Sequence, residues 1–237
     1  MIWNKKYTSN NDRHKEIMFD IIKDIFSSSI KTNVAFKWWT LCMFLYWLDR
    51  FSIDLDFDII KDDIPFATIK EITKDILKKY GKIQEETKTK IIVKYSDIQK
   101  PLKIEFNTRI YKHNTYEIKN FFGTSIFCMT IDSLFANKLV ALSERNQIKD
   151  KVASRDVYDV YFFFKHHFEI NSDILLERTW KIKKEYLLFL LDFIPKHFNQ
   201  ENILRWLWEL IDEKQKYWIK NNLIQEVIWM ITFAATI

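Results

Sequence analysis

From Asp12 to Ser29 apolar residues recur in pairs, Ile17/Met18, Ile21/Ile22 and Ile25/Phe26, four apart with charged residues between them. That period predicts an amphipathic helix. After a short stretch from Asn33 to Phe36, the run Thr40–Leu48 is apolar on nearly every side, as a buried helix would be, and Asp49–Ser52 breaks it. Leu55, Phe57 and Ile59 then alternate strictly with Asp54, Asp56 and Asp58, the period of a strand with one acidic face. Asp62, Asp63 and Pro65 end this strand. Phe66–Tyr80 reads as a helix stopped by Gly81.

Two strand-like runs follow, Lys90–Tyr95 and Pro101–Tyr111. In the second, Lys103, Glu105, Asn107 and Arg109 share the face opposite Leu102, Ile104, Phe106 and Ile110. Beyond Gly123 the period becomes helical, over Ile131–Ser143, Ala153–His166, Asp173–Trp180, Lys184–Phe193 and Glu201–Lys220, and the apolar run Val227–Ile237 reads as a docked helix or a buried strand. The expectation is an α+β chain with two parts, an αβ core over residues 1–128 and a helical domain over 129–237. No Gly/Ser/Pro-rich linker separates them.

Composition changes this picture in three ways. The balance of 48% hydrophobic and 29% charged residues is that of a folding chain, not a disordered one. No uncharged apolar run reaches the ~18 residues of a membrane span, the start has no signal-peptide pattern, and two isolated cysteines build no disulfide framework. The expected setting is cytoplasmic, with no membrane partner. A net charge of +5 leaves room for an anionic partner without requiring one. The five histidines have no metal-ligand spacing and read as surface or helix-end residues, and the aromatic C-terminal half reads as helical core more readily than as a base-stacking platform.

The chemistry sits in Arg50-Phe51-Ser52-Ile53-Asp54-Leu55-Asp56-Phe57-Asp58. Residues two apart on a strand face the same way, so Asp54 and Asp56 place two carboxylates side by side. Carboxylates that close stay ionised most readily around a divalent cation, and hard oxygen donors favour magnesium or manganese. Glu105 is the candidate third ligand, from a neighbouring strand, for a two-metal phosphoryl-transfer site. A solvated acidic strand edge would show the same alternation.

Upstream lies Phe36-Lys37-Trp38-Trp39-Thr40-Leu41. With it, the chain resembles the AbiEii/AbiGii nucleotidyltransferase toxins, whose signature runs Lys-Gly-Gly-Thr-Ala-Leu, a buried helix, then Arg-Phe-Ser-x-Asp-Leu-Asp-Phe. A second block, Ile131-Asp132-Ser133-Leu134-Phe135-Ala136-Asn137-Lys138-Leu139-Val140-Ala141-Leu142 followed by Ser154-Arg155-Asp156-Val157-Tyr158-Asp159, is similar to that family's Ala-Asp-Lys helix and its Arg-Asp-x-Tyr-Asp helix.

The resemblance implies a nucleotidyltransferase fold with a C-terminal helical bundle. It also implies transfer of a nucleoside monophosphate from an NTP, with Mg2+ or Mn2+ as cofactor. Asp54, Asp56 and Glu105 would hold metal, and Lys138 would steady the triphosphate. Asp156 and Asp159 would orient a base, a ribose or Lys138, and Trp38, Trp39, Thr40, Arg50 and Ser52 would line the nucleotide site. A salt-bridge network around Arg155 is the alternative for the second block. By the same resemblance the chain would be the toxin of a toxin–antitoxin or abortive-infection pair active in phage defence. A cognate antitoxin would be its partner and tRNA or another RNA its acceptor. Ser52 is a further candidate, because a phosphate there would bring a near-dianion beside Asp54.

The departure lies at Trp38, Trp39 and Trp47, which stand where the family has glycine. At a helix N-terminus glycine lets backbone amides approach a phosphate closely, and at a helix end it takes the left-handed conformation. Two readings follow. In one, a UGA codon decoded as glycine by the source is written as tryptophan, so that some of Trp3, Trp180, Trp206, Trp208, Trp218 and Trp229 are also glycines. In the other, the tryptophans are real and the chain is a catalytically inactive nucleotidyltransferase-like binding protein. Average usage of ~7% would give about 17 glycines, whereas the chain has two, beside nine tryptophans.

Overall fold

The acidic alternation becomes strand β2 (Asp54–Ile59), and what surrounds it is settled by pairing register. The computed structural model describes residues 10–97, 100–149, 153–205 and 207–236. Trp3 and Trp206 lie outside them. Contacts divide the chain into two units, the first running to Ile110 and taking up Tyr116–Met129, the second holding Tyr111–Thr115 and everything from Thr130.

In the first unit, α1 (Asn10–Phe26) and β1 (Val34–Lys37) precede α2 (Trp38–Leu45), which starts with no residue between strand and helix. After β2 come α3 (Phe66–Leu77), β3 (Lys82–Glu86), β4 (Lys90–Lys94), β5 (Leu102–Asn107), β6 (Tyr116–Phe121) and β7 (Thr124–Met129). The strands form one mixed sheet in the order β3-β4-β5-β2-β1-β7-β6. β2 runs antiparallel to β1 and parallel to β5, and β1 runs parallel to β7. The apolar face of α1, with Ile17, Met18, Ile21, Ile22 and Ile25, is fully or almost fully buried. Phe57 of β2 meets Phe36 and Phe106 at ring-centroid separations of 5.4 and 5.9 Å, and burying such rings is the main drive for the fold here.

Three strands escape the hydrophobic pattern. β3 is an exposed edge with only Ile83 half-buried, and β6 and β7 form a hairpin whose turn carries positive φ at Phe122 (47°) and Gly123 (91°). That pair of left-handed residues is what a tight two-residue hairpin requires. Gly81 is needed for a different reason from a helix stop alone. A Cβ there would lie 2.4 Å from the carbonyl oxygen of Lys94, so only glycine lets the end of α3 approach β4.

The second unit is helical among its described residues: α4 (Ile131–Lys149), α5 (Ser154–Lys165), α6 (Ser172–Thr179), α7 (Lys183–His197) and α8 (Glu213–Thr236). The expected helix at Glu201–Lys220 is corrected. Residues 201–205 and 207–210 form turns, and a single long α8 covers the end of that span and residues 227–236. Ile203 and Leu207, one helical turn apart, are both buried, which gave the stretch a helical look. No helix among the described residues is long and apolar enough to cross a membrane.

Candidate active site

Strand pairing puts the charged residues in a row. Lys37 of β1 lies opposite Asp56, Asp56 lies opposite Glu105 of β5, and Glu105 lies opposite Lys90 of β4, so all four share one face of the sheet. One step along, Asp54 lies opposite Lys103. The three carboxylates named from the sequence are therefore brought to one face.

Their environments differ. Asp58 is fully buried, and its oxygens accept from Lys37 Nζ (2.6 Å), Asn107 Nδ2 (2.9 Å) and the Tyr116 hydroxyl (2.9 Å). Saturated in this way, it ties together β1, β2, β5 and β6. Asp54 and Asp56 are half-buried instead. Burial, with the charges of Asp54 and Glu105 added, pushes the Asp56 carboxyl up to about 6 even though Lys103 and Lys37 oppose the rise. A carboxyl raised in this way by its carboxylate neighbours belongs to a donor set short of positive charge, and hard oxygens at this spacing suit a divalent cation.

Part of that positive charge comes from Lys103, whose role the sequence did not disclose. Its Nζ lies 2.9 Å from Glu105 Oε2 and 3.2 Å from Asp54 Oδ2. Burial alone would lower the lysine's pKa, but Asp54, Glu105 and Asp56 together raise it. Among the described residues no three His, Cys, Asp or Glu side chains already converge as a metal ion would gather them.

The supports of β2 are local. The Thr40 hydroxyl, from the first turns of α2, contacts Ser52 Oγ (2.9 Å) and the carbonyl of Asp54, and its single proton serves one of them at a time. Ser52 is buried against Thr40. Arg50 is buried, donates to the Phe51 carbonyl (3.1 Å) and lies 5.0 Å from the Trp39 ring centroid. His14 is corrected from a surface residue to a buried one. Its Nε2 is 3.0 Å from the Ile53 carbonyl, beside Asp54, and its Nδ1 meets the Tyr95 hydroxyl. Burial lowers its pKa against the opposing pull of Ile53 and Asp54, which favours the neutral ring.

At the β1–α2 junction, the indoles of Trp38 and Trp39 stack with centroids 6.0 Å apart, and Lys37 Nζ lies 5.3 Å from the Trp38 ring. Trp38 has φ 66°.

The second unit holds the other candidates in a closed network. Lys138 of α4 and Asp156 and Asp159 of α5 are fully buried, with Nζ 2.6 Å from Asp156 Oδ1 and 3.4 Å from Asp159 Oδ2. The exposed Arg145 reaches Asp156 Oδ2 at 3.2 Å. Burial pushes Lys138 down to about 8 against the pull of both carboxylates. Burial would raise Asp156, but Lys138 and Arg145 hold it below its ordinary value. The ammonium is thus already neutralised, and meeting a phosphate would require it to part from Asp156. In the aromatic tail, Trp218 packs on Tyr161 (4.9 Å), while Trp208 and Trp229 are exposed and are not core.

Comparisons agree with this geometry. Two solved proteins share the fold over nearly their whole lengths. One is JHP933 from Helicobacter pylori, with TM-score 0.55, 18% identity and 98% and 97% of the two chains covered. The other is a candidate nucleotidyltransferase from the same organism, with TM-score 0.60, 18% identity and 97% and 96% covered. No curated protein matches the chain. The family model described as Nucleotidyl transferase AbiEii toxin, Type IV TA system, matches residues 40–217, beginning directly after the two tryptophans. With well over half its length matched and the DxD strand inside the match, the chain belongs to the AbiEii nucleotidyl transferase toxin family of type IV toxin–antitoxin systems.

Proposed function

We propose that the chain is a metal-dependent nucleotidyltransferase that moves a nucleoside monophosphate from an NTP to an acceptor hydroxyl, as the toxin of a pair whose antitoxin is its partner. The observation that carries this reading is the carboxylate row, with Asp54 and Asp56 on one face of β2 and Glu105 opposite Asp56 on β5. In the reaction the acceptor oxygen bonds to the α-phosphorus, the bond to the pyrophosphate oxygen breaks, and the acceptor's proton is lost.

Asp54 and Asp56 would hold magnesium or manganese, with Glu105 assisting on the acceptor side. When bound, the metal supplies the positive charge that phosphoryl transfer needs. Thr40, Ser52 and Arg50 would fix the loop ahead of β2, while Trp38 and Trp39 mark the nucleotide end of the site. The family resemblance assigns Lys138, with Asp156 and Asp159, to the triphosphate, a role that would require its ammonium to leave the buried pair with Asp156. RNA, tRNA included, is the acceptor class that the family resemblance offers, and a net charge of +5 is compatible with it.

The test is transfer from an α-labelled NTP to RNA in the presence of Mg2+, comparing the chain with Asp56→Asn. Loss of transfer in a folded variant supports the metal assignment, and retained transfer refutes it. The stacked indoles at the head of α2 favour a second reading, a non-catalytic binding protein. NTP binding by Trp38→Gly/Trp39→Gly but not by the written sequence speaks for the enzyme. Binding by neither supports the second reading.

A further inference from the structure

Among the described residues, five other than glycine hold a left-handed φ: Trp38 (66°), Trp47 (55°), Phe122 (47°), His167 (55°) and Trp180 (58°). Tryptophan supplies three of these five but only nine of the 237 residues in the chain. For bulky side chains this region is sterically poor, and residues other than glycine that visit it are most often Asn or Asp.

Each of the three positions is one that glycine commonly fills. At the end of α2, Trp47 takes the left-handed conformation directly after the C-cap Tyr46, the position that glycine most often fills, and Leu48 N donates back across it to Cys42 O (3.1 Å). At the end of α6, Trp180 N donates to Leu176 O (3.0 Å) with φ 58° and ψ 23°, the five-to-one bond of the simpler left-handed cap. Trp38 joins β1 directly to α2, the preceding Lys37 being fully extended at φ −146° and ψ 178°.

Burial does not compensate the strain, since Trp47 is 84% and Trp180 88% exposed. The remaining described tryptophans behave differently. Trp39 is buried under Arg50, Trp218 packs on Tyr161, Trp208 and Trp229 are exposed, and none of the four has a positive φ.

We propose that residues 38, 47 and 180 are glycine in the protein its source makes, each from a codon, UGA, that the source decodes as glycine and that is written here as tryptophan. The backbone argument is independent of the nucleotidyltransferase reading. For Trp180 it identifies a position at which no sequence motif asked for glycine. The consequence for the site is that the indole beside Lys37 and Trp39 is absent, and the start of α2 is open to a ligand.

The test is peptide mass spectrometry of the native protein, with the gene's codons read alongside. Glycine masses and UGA codons at 38, 47 and 180 are expected, and tryptophan masses with UGG codons overturn the proposal. A recombinant comparison checks the conformational premise away from the site. Trp47→Gly and Trp180→Gly should each raise Tm by about 2–4 °C, whereas Trp218→Gly, inside the second turn of α8 and packed on Tyr161, should lower it. A fall in Tm for both capping variants would remove the physical basis of the assignment.

A different observation carries a second inference. The Lys103 ammonium lies between Asp54 and Glu105, bonded to both, on the face where Asp56 also sits. We infer that Lys103 is a positioning residue, a resident cation that holds the carboxylates together and that a divalent metal must displace. This rests on the reading of the acidic face as a metal site, so the test separates the two. Mn2+ binding is measured by titration, without nucleotide, for the full chain and for its Lys103→Met, Lys103→Arg and Asp54→Asn variants.

Lys103→Met is expected to bind Mn2+ about tenfold more tightly, Lys103→Arg to resemble the parent, and Asp54→Asn to lose binding. Unchanged or weaker binding by Lys103→Met, with the parent binding normally, overturns this inference alone. An absence of Mn2+ binding by both parent and Lys103→Met overturns the metal reading itself.

Discussion

The carboxylates of β2 and β5 and those of α5 are opposite solutions to one electrostatic problem. On the sheet, Asp54, Asp56 and Glu105 share Lys103 and remain half-open, so their repulsion is only partly relieved. In the helical unit, Asp156 and Asp159 are fully buried around Lys138, with Arg145 closing the outer side. Charge left unbalanced on a face reached by solvent can recruit an ion, whereas charge balanced in the interior resists change. A site and a scaffold can therefore be told apart by what removing one member does.

The largest expected effect is Lys138→Met, which strands two buried carboxylates. Urea unfolding should show a loss of about 3–5 kcal/mol, and a loss below ~1 kcal/mol would mean the network is looser than its geometry suggests. Next comes Asp56→Asn, which should reduce nucleotide transfer by about 10²–10³-fold while leaving stability equal or slightly higher, because it relieves repulsion. A large stability loss in that variant would place Asp56 with the scaffold.

Smaller is Thr40→Val, which breaks the link from α2 to Ser52 and the Asp54 carbonyl. It should cost about 1–2 kcal/mol, read by the same unfolding curves.

The finest test uses pH. Asp156 has a lowered pKa in the folded chain, so its contribution is complete above the unfolded value near 3.8 and is lost as pH falls through the folded one. In Lys138→Met the main cause of that lowering is gone, Arg145 alone opposes the effect of burial, and Asp156 is expected to rise, so the variant gains stability as the carboxyl protonates. The stability gap between parent and variant should narrow as pH falls from ~6 toward ~4. A constant gap would show that Lys138 acts through packing rather than charge.

Much of this was legible in the sequence, for reasons that also mark where legibility stopped. The strict alternation from Asp54 to Ile59 fixed a strand and its acidic face, and the four-residue spacing from Ile17 to Phe26 fixed α1, because in each case one side is buried. β3 has almost no buried side to leave a pattern, and the β6–β7 hairpin depends on a turn whose first left-handed residue is Phe122, not a residue type that announces it. Glu105 was found because its own strand alternates. Lys103 alternates in the same strand, but its place opposite Asp54 is a matter of register, which a single strand does not encode. His14 was missed because its partners, Ile53 and Tyr95, are far along the chain.

The parallel pairing of Phe36 with Cys128 has a consequence for how the molecule comes to exist. β1 is an interior strand, yet its second neighbour is separated from it by most of the first unit. At ~5–20 residues per second of synthesis, that flank stays unpaired for several seconds after β1 leaves the ribosome, and such long-range closure is slow even once the partner has emerged. A growing chain thus spends its early life with an open sheet edge, the surface on which strands add and chains aggregate. That period ends when the β6–β7 hairpin docks.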